Sequence, residues 1–218
     1  MSIPSFSSKT LGYGSLAVLA LSFEFFGGCT PTPSVFSDDA NGYPPHASVE
    51  KNNSRWIWDG NIPGALEYNL DAFASVTSDS TGSAYKAPHQ SSADHYVQFN
   101  VASISNATGP FVACRLADRN NFVGVRVGNN GGDGVLELYR RVSGSLTSLH
   151  VEGAGTVALN DKVRLECVGT NWEVFLNGVS LASGAIGDAS LTSPDTGLVA
   201  RVVTSNPWID DFETGVVR

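Results

Sequence analysis

The sequence carries few charges, and most of them are acidic. Of 218 residues only 16% are charged, with 13 Lys and Arg against 21 Asp and Glu, which gives a net charge of −8. Because nucleic-acid backbones are bound by clustered basic side chains, this balance argues against a nucleic-acid partner. No apolar run reaches the roughly 18 uninterrupted residues that a membrane-spanning helix needs, so no transmembrane segment is predicted.

Helical periodicity is missing as well. The composition, with 23 Gly, 10 Pro and one Met, favours a turn-rich β protein. Short runs alternate apolar and polar residues and are separated by Gly, Asn, Asp and Ser. These runs cover Trp56–Trp58, Ala65–Leu70, His95–Val101, Phe111–Leu116, Phe122–Val127, Val135–Arg140, Thr147–Val151, Val163–Val168, Trp172–Leu176, Gly197–Val202 and Trp208–Phe212. Their spacing of roughly ten residues predicts an all-β fold, a two-sheet antiparallel sandwich.

Cysteine is scarce, which excludes a scaffold built from cysteines. The chain has three, Cys29, Cys114 and Cys167, which are odd in number and far apart. Neither a disulfide framework nor a zinc site is therefore indicated. Cys114 and Cys167 lie in strand runs beside apolar residues of the same face. We expect both to be buried free thiols, because free cysteine packs as a small hydrophobic residue.

Residues 1–29 allow two interpretations. An apolar run follows a lysine, and a Gly-Gly pair precedes Cys29, which is similar to a lipoprotein signal whose cysteine is lipidated. However, Glu24 interrupts the run, and Phe26 stands where such signals usually carry leucine. Residues 19–25 also alternate as a strand does. We therefore expect an N-terminal β arm that pairs with another chain, and lipidation of Cys29 only under the alternative interpretation.

The rest of the chain divides into a linker and one domain. Residues 30–34 read Thr-Pro-Thr-Pro-Ser, and alternate prolines favour an extended, semi-rigid spacer. From residue 35 to residue 218 the composition does not shift again. We therefore predict a single β domain over residues 35–218.

The part of this domain from Ala93 to Gly215 resembles a known family. In order it contains ADHYVQFNV, GPFVACRLADRNNFVGVRVG, GVLELYRRVSGSLTSL, LNDKVRLECVGTNWEVFLNGVSL, TGLVAR and WIDDFETG. These segments, in this order and spacing, are similar to the concanavalin A-like lectin/glucanase (laminin-G-like) family. They are similar in particular to the tail-associated domains of bacteriophages. The resemblance implies that the sandwich is a two-sheet jelly roll.

The resemblance also implies a function on a phage particle. The chain would be a virion component, a minor tail protein whose lectin-like domain contacts host-surface polysaccharide. Its partners would be other virion proteins, and it would act as a homo-oligomer. The alternative is a secreted or lipid-anchored bacterial carbohydrate-binding module, located in the cell envelope or outside the cell. The residues before Cys29 favour that alternative.

Known catalytic motifs are absent from the sequence. Glucanases of this family carry Glu-x-Asp-x-x-Glu on one strand, which brings acid and nucleophile to roughly 5 Å, and no such string occurs here. Glu137, Glu166 and Glu173 lie in separate strand runs and are expected to be isolated, solvated residues. There is no Gly-x-Ser-x-Gly motif and no His pair at zinc spacing. We predict that the protein is not an enzyme; a hydrolase with an unfamiliar site is the weakest alternative.

Two binding sites are nevertheless expected. In related jelly rolls the opening and closing segments lie side by side, which implies that Asp38 and Asp39 meet Asp210 and Asp211. A calcium ion would offset the repulsion between these carboxylates. The alternative is that Asp38 and Asp39 cap turns, while Asp210 and Asp211 point to opposite faces of one strand. Trp208 is the candidate for contact with a glycan, and the other three tryptophans are expected in the core.

Overall fold

The computed structural model describes most of the predicted domain. The described residues are 35–41, 47–49, 55–60, 66–69, 72–75, 83–88, 90, 92–104, 109–130, 133–200 and 209–217. The predicted arm (1–29), the linker (30–34), Cys29 and Trp208 lie outside these residues, so the expectations for them stay predictions. Within the described ranges, no helix has the length and hydropathy to cross a membrane.

The described residues form sixteen strands in two sheets. The strands are β1 Phe36–Asp38, β2 Ala47–Ser48, β3 Ile57–Gly60, β4 Leu66–Asn69, β5 Ala72–Ser75, β6 Ser83–Lys86, β7 His95–Val101, β8 Phe111–Asp118, β9 Asn121–Asn130, β10 Asp133–Val142, β11 Ser145–Val151, β12 Lys162–Val168, β13 Asn171–Leu176, β14 Val179–Ala185, β15 Gly197–Ala200 and β16 Ile209–Val216. All their pairings are antiparallel. The predicted two-sheet antiparallel sandwich is confirmed.

The strand order brings the two ends of the domain together. The nine-stranded sheet runs β14-β13-β12-β7-β16-β5-β4-β2, and β1 also pairs with β16. The seven-stranded sheet runs β11-β10-β9-β8-β15-β6-β3. Phe36, in the first strand, lies opposite Thr214 in the last. The expected neighbourhood of opening and closing segments is therefore present.

Apolar alternation decides which side of each strand enters the core. In β12, Val163, Leu165 and Cys167 are buried, whereas the intervening Arg164 and Glu166 are half-buried. The side chains of a strand alternate between the two faces of a sheet. The buried set of β12 therefore faces the seven-stranded sheet, and the polar set faces outward.

An aromatic cluster closes the core beside the first and last strands. The Trp56 ring lies 5.3 Å from Phe36, 5.8 Å from Phe73 and 5.1 Å from Phe212, measured between ring centroids. The indole N–H of Trp56 donates a 2.7 Å hydrogen bond to Asp38 Oδ2. Aromatic pairs at these spacings stabilise a core beyond their buried area.

Among the described residues, two hairpins are closed by two-residue turns in which both central residues have positive φ. Asn177 and Gly178 have φ of 52° and 81° and connect β13 to β14, where Leu176 lies opposite Val179. Ser143 and Gly144 have φ of 49° and 86° and connect β10 to β11 in the same way. Positive φ at both central residues is typical of a type I′ turn, which suits the twist of the flanking strands. The Asn-Gly hairpin predicted from the sequence is confirmed.

Candidate functional site

The outer face of the nine-stranded sheet is polar. The residues that define this polar face are Tyr96, Gln98, Arg164, Glu166, Glu173 and Glu213. They are cross-strand neighbours on β16, β7, β12 and β13. Together with β1 and β14, the face crosses six strands, which at about 4.8 Å between neighbouring strands amounts to about 24 Å. It is long enough to contact an extended chain molecule lying across the strands.

A hydrogen-bonded network fixes the middle of the polar face. The Arg164 guanidinium carbon lies 3.7 Å from the centroid of the Tyr96 ring, and Arg164 Nε donates a 2.7 Å bond to Glu166 Oε1. The Tyr96 hydroxyl donates a 2.6 Å bond to Glu213 Oε1. Burial, and then this bond to Glu213, raise the pKa of Tyr96 to about 12. The hydroxyl therefore keeps its proton at neutral pH, and these four side chains are held in one arrangement.

A depression at one end of the polar face has a volume of about 320 Å³. Its polar lining comes from Glu166, Asn171, Glu173 and Ser183. Glu166 and Glu173 lie directly opposite each other on β12 and β13. The expectation that these two glutamates are isolated was wrong, because the β12–β13 hairpin places them in register. The depression thus offers carboxylate, amide and hydroxyl groups within one small volume.

Trp172 lies beneath these groups, on the core side of β13, because it alternates with Glu173 and lies opposite the core residue Cys167. It is only 5% exposed, as the sequence predicted for a core tryptophan, and its indole N–H donates to the Ala185 carbonyl at 3.2 Å. A Cβ atom at Gly184 would lie 2.9 Å from the indole, so the ring packs directly on the main chain of β14. Glu173 Oε1 accepts a 2.6 Å bond from the Ser180 hydroxyl on the same hairpin. Strand β14 therefore fixes the Trp172 ring on the core side of the sheet and the Glu173 carboxylate on its outer side.

A second depression, of about 240 Å³, lies further along the same face. Gln98, Lys162, Asp211 and Glu213 are among its lining residues. Lys162 and Gln98 come from adjacent strands of the sheet centre, β12 and β7. Two polar depressions therefore lie on one face, with the Arg164–Tyr96 network between them.

Three of the four aspartates predicted to bind calcium, Asp38, Asp39 and Asp211, line this second depression. Asp38 Oδ1 accepts the amide of Ala40 at 3.0 Å, and Asp38 Oδ2 accepts the Trp56 indole. Asp39 Oδ1 accepts the amide of Asn41 at 3.1 Å. Both carboxylates thus hold local turns, as the alternative interpretation of these residues predicted.

A β-bulge places Asp210 and Asp211 differently from the sequence expectation. Ile209 and Phe212 both face the core, at 1% and 0% exposure, and the register against β7 shifts between Asp210 and Glu213. Asp211 has a φ of 49°, and its carboxylate accepts a bond from the Asn100 side chain. The alternative interpretation, in which simple alternation points the two aspartates to opposite faces, was wrong, because the bulge puts both between two core residues.

These placements do not fit one calcium ion held by all four carboxylates. Asp38 is buried and bonded to Trp56, whereas Asp39 and Asp211 are exposed. Among the residues that the structure describes, no three His, Cys, Asp or Glu side chains are grouped closely enough to hold a metal ion.

The outer face of the seven-stranded sheet is apolar, which the sequence analysis did not anticipate. Val112 and Cys114 belong to the main core, so the alternate residues Phe111 and Ala113 lie on the opposite side. They form a second buried cluster whose other members are Ala84, Leu116, Phe122 and Val199. Because Phe111 and Phe122 are fully buried, neither ring presents a surface for a ligand.

An ion pair packs against this second cluster. Arg126 Nε donates a 2.7 Å bond to Glu137 Oε2, and its guanidinium lies 4.8 Å from the Phe111 ring centroid and 5.2 Å from that of Tyr139. A Cβ atom at Gly128 would lie 3.0 Å from Glu137 Oε2, so a glycine there leaves room for the carboxylate. The Arg126 guanidinium therefore covers the Phe111 and Tyr139 rings.

The comparisons with known proteins agree on one fold. No protein-family profile and no curated protein matches the sequence. Solved structures match well: the GH43 protein BlXynB from Bacillus licheniformis has a TM-score of 0.53 at 13% identity, and the match covers 82% of this chain and 38% of that one. The domain has the concanavalin A-like lectin/glucanase fold. The resemblance stated from the sequence is therefore confirmed at the level of fold.

Two further structures share this concanavalin A-like fold. The carbohydrate-binding module CBM66 from Bacillus subtilis has a TM-score of 0.51 at 11% identity, with 74% of this chain and 92% of that one covered. The apo Crh5 transglycosylase has a TM-score of 0.51 at 6% identity, with 86% and 88% covered. One similar structure is thus named as a binding module and another as an enzyme, so the function must be argued from this chain's own residues.

Proposed function

We propose that the concanavalin A-like domain is a non-catalytic module that binds a polysaccharide across its polar face. The observation that carries the proposal is the pair of polar depressions on one face, joined by the Arg164–Tyr96 network. Small-ligand sites combine a concave surface with a few fixed polar groups, and the depression of about 320 Å³ reaches the volume of about 300 Å³ at which such sites begin. Hydroxyl-rich sugars match the carboxylate, amide and hydroxyl groups found there.

The shape of the face favours a chain over a single sugar. A face of about 24 Å, estimated from strand spacing, exceeds what either depression alone accommodates. The depression beside Glu166 and Glu173 would take one sugar unit, and the neighbouring units would lie over Arg164 and Gln98. The similar fold of the module CBM66 supports this proposal.

A glycoside hydrolase is the second candidate, and the facing pair Glu166 and Glu173 is the observation that favours it. Glycosidases use two carboxyl groups on either side of the bond that is cleaved, and one of them donates a proton. Here Glu166 is ion-paired with Arg164 of its own strand. Glu173 likewise accepts the Ser180 hydroxyl, so both glutamates are already engaged by neighbouring side chains within the sheet. Binding without cleavage is therefore the better supported function.

The biological setting that we propose is a phage virion, in which the domain sits on a minor tail protein. The resemblance of its segments to phage tail-associated domains supports this setting, with other virion proteins and copies of the chain as partners and host-surface polysaccharide as the ligand. A secreted or lipid-anchored module is the alternative, supported by the Gly-Gly pair before Cys29. The mass of the mature N-terminus separates the two settings, because only the second predicts a lipidated Cys29.

Affinity electrophoresis through gels that contain bacterial wall or plant polysaccharides tests the binding proposal. We expect at least one polymer to retard the folded parent protein. The variants Asn171→Ala and Glu173→Ala should lower the affinity about tenfold or more, as the loss of direct polar contacts does. Thr147→Ala, an exposed position on β11 of the other sheet, is the matched control and should bind as the parent does. Equal retardation of all three variants would refute the proposed face.

The same preparations separate binding from hydrolysis. Incubation of the parent protein with each retarding polymer should release no reducing ends. If reducing ends appear and are abolished by Glu166→Gln and by Glu173→Gln, the hydrolase is the correct function.

A further inference from the structure

Two of the three cysteines face each other across the core. Cys114 lies on β8 of the seven-stranded sheet and Cys167 on β12 of the nine-stranded sheet, and both are free thiols with 0% exposure. Cα atoms of β8 and β12 come within 8 Å of each other. Stacked sheets usually lie about 10 Å apart. Strands β8 and β12 therefore approach more closely than stacked sheets usually do.

The hydrogen bonds of Cys114 locate its thiol beside Cys167. Cys114 Sγ lies 3.6 Å from the Leu165 carbonyl oxygen and 3.8 Å from the His95 carbonyl oxygen. Cys167 follows Leu165 by two positions, on the same core face of β12, and lies opposite His95 in the sheet. Burial, and then a hydrogen bond with the Cys167 thiol, raise the pKa of Cys114 well above its ordinary value. The two sulfur atoms are thus neighbours in the folded chain.

We propose that Cys114 and Cys167 form a disulfide between the two sheets when the chain folds in an oxidising compartment. The oxidant is a disulfide, either a small molecule such as oxidised glutathione or a disulfide oxidoreductase. One cysteine thiolate attacks it, which gives a mixed disulfide and releases one thiol. The thiolate of the second cysteine then attacks the mixed disulfide, the Cys114–Cys167 bond forms, and a second thiol is released. The oxidant is reduced by two electrons and takes up the two protons.

The burial of the thiols sets the time at which the bond can form. Only the thiolate is nucleophilic, and a buried thiol is inert, so neither cysteine reacts once the core has closed. The bond forms while the chain is still open, and it is afterwards protected from reductants. A chain that folds in a reducing cytosol keeps both thiols. The inference does not depend on the proposed function, and the redox state of the pair records where the chain folded.

Refolding in a redox buffer tests the proposal. The chain with Cys29→Ser is reduced in denaturant and refolded either with oxidised and reduced glutathione or with dithiothreitol. Remaining thiols are then alkylated in denaturant, and the peptides are mapped by mass spectrometry. We expect the glutathione sample to contain the Cys114 and Cys167 peptides linked and lighter by two hydrogen atoms. Its melting temperature should exceed that of the dithiothreitol sample by on the order of 10 °C, because the closed loop is long.

A control and a second setting keep the result decisive. The double variant Cys29→Ser/Cys114→Ala has no pair to oxidise, so its melting temperature should be equal in the two buffers. Two alkylated cysteines in a parent chain that has folded in oxidised glutathione would overturn the proposal. A linked chain that lacks the native near-ultraviolet circular dichroism would also overturn it. The same mapping on protein exported to a bacterial periplasm does not depend on refolding in vitro, and free thiols in that folded protein would equally contradict the proposal.

Discussion

Replacing the buried His95 should change how stability depends on pH. His95 is fully buried at the start of β7, where Nδ1 lies 3.1 Å from the Ser92 carbonyl oxygen and Nε2 accepts the Arg115 amide at 3.1 Å. These partners fix a neutral imidazole that carries its proton on Nδ1. Burial, assisted by the charge of Arg115, lowers the pKa of His95 to about 4, while the bond to Ser92 opposes the change.

The sign of the effect follows from proton binding. Between pH 6.5 and about 4 the unfolded histidine takes up a proton and the folded one does not, so the free energy of unfolding falls as the pH falls through this range. Above pH 6.5 His95 does not make the free energy of unfolding depend on pH, and below about pH 4 its full decrease has occurred. The gap between 6.5 and about 4 corresponds to about 3 kcal/mol.

Urea unfolding of the parent and of His95→Gln at a series of pH values measures this loss. Glutamine donates and accepts hydrogen bonds but does not titrate, and the carboxylates titrate alike in both proteins. The parent's stability relative to the variant should therefore fall by about 3 kcal/mol between pH 6.5 and pH 4. Parallel curves, or an imidazole proton resonance that titrates near pH 6.5 in the folded parent, would refute the assignment.

Three further changes test other parts of the structure. Arg115→Met should lower the free energy of unfolding, measured with urea, by about 3 kcal/mol. The buried guanidinium donates hydrogen bonds to the Leu191 and Gly169 carbonyls at 3.1 and 2.8 Å, and these carbonyls would lose their donor. A decrease below about 1 kcal/mol would contradict this role. Gly178→Val should cost about 1 kcal/mol or more, because valine resists positive φ. Gly153→Val is the control, because a Cβ atom there has as much open space as at Gly178. Equal melting temperatures of the two variants would contradict the assignment of a positive-φ turn at Gly178. The parent protein should give the same melting curve with calcium and with a chelator, because Asp38 is already bonded to Trp56. A higher melting temperature with calcium would support the metal site predicted from the sequence.

The long strands could be predicted from the sequence because their signal is local. His95–Val101 alternates so regularly that the predicted and observed bounds of β7 agree. The short strand β5 escaped prediction because four residues carry too little alternation. Strand β14 reads Val-Ser-Leu-Ala-Ser-Gly-Ala, and its small residues hide the pattern. Pairing with a neighbouring strand makes these two segments extended.

The facing glutamates could have been found from the hairpin. A two-residue turn at Gly169–Thr170 fixes the register of β12 against β13 and so places Glu166 opposite Glu173. By contrast, the Asp210–Asp211 bulge and the approach of Cys114 to Cys167 depend on packing between segments far apart in the chain. No local pattern reports such packing, so these features required the three-dimensional structure.

Chemical-shift mapping of a ¹⁵N-labelled domain during titration with a retarding polysaccharide tests the central claim most directly. We expect the shifted signals to be the amides of β12, β13 and β14 around Glu166 and Glu173, followed by those around Gln98. Shifts confined to the seven-stranded sheet, around Tyr139 and Arg126, would contradict the proposed polar face.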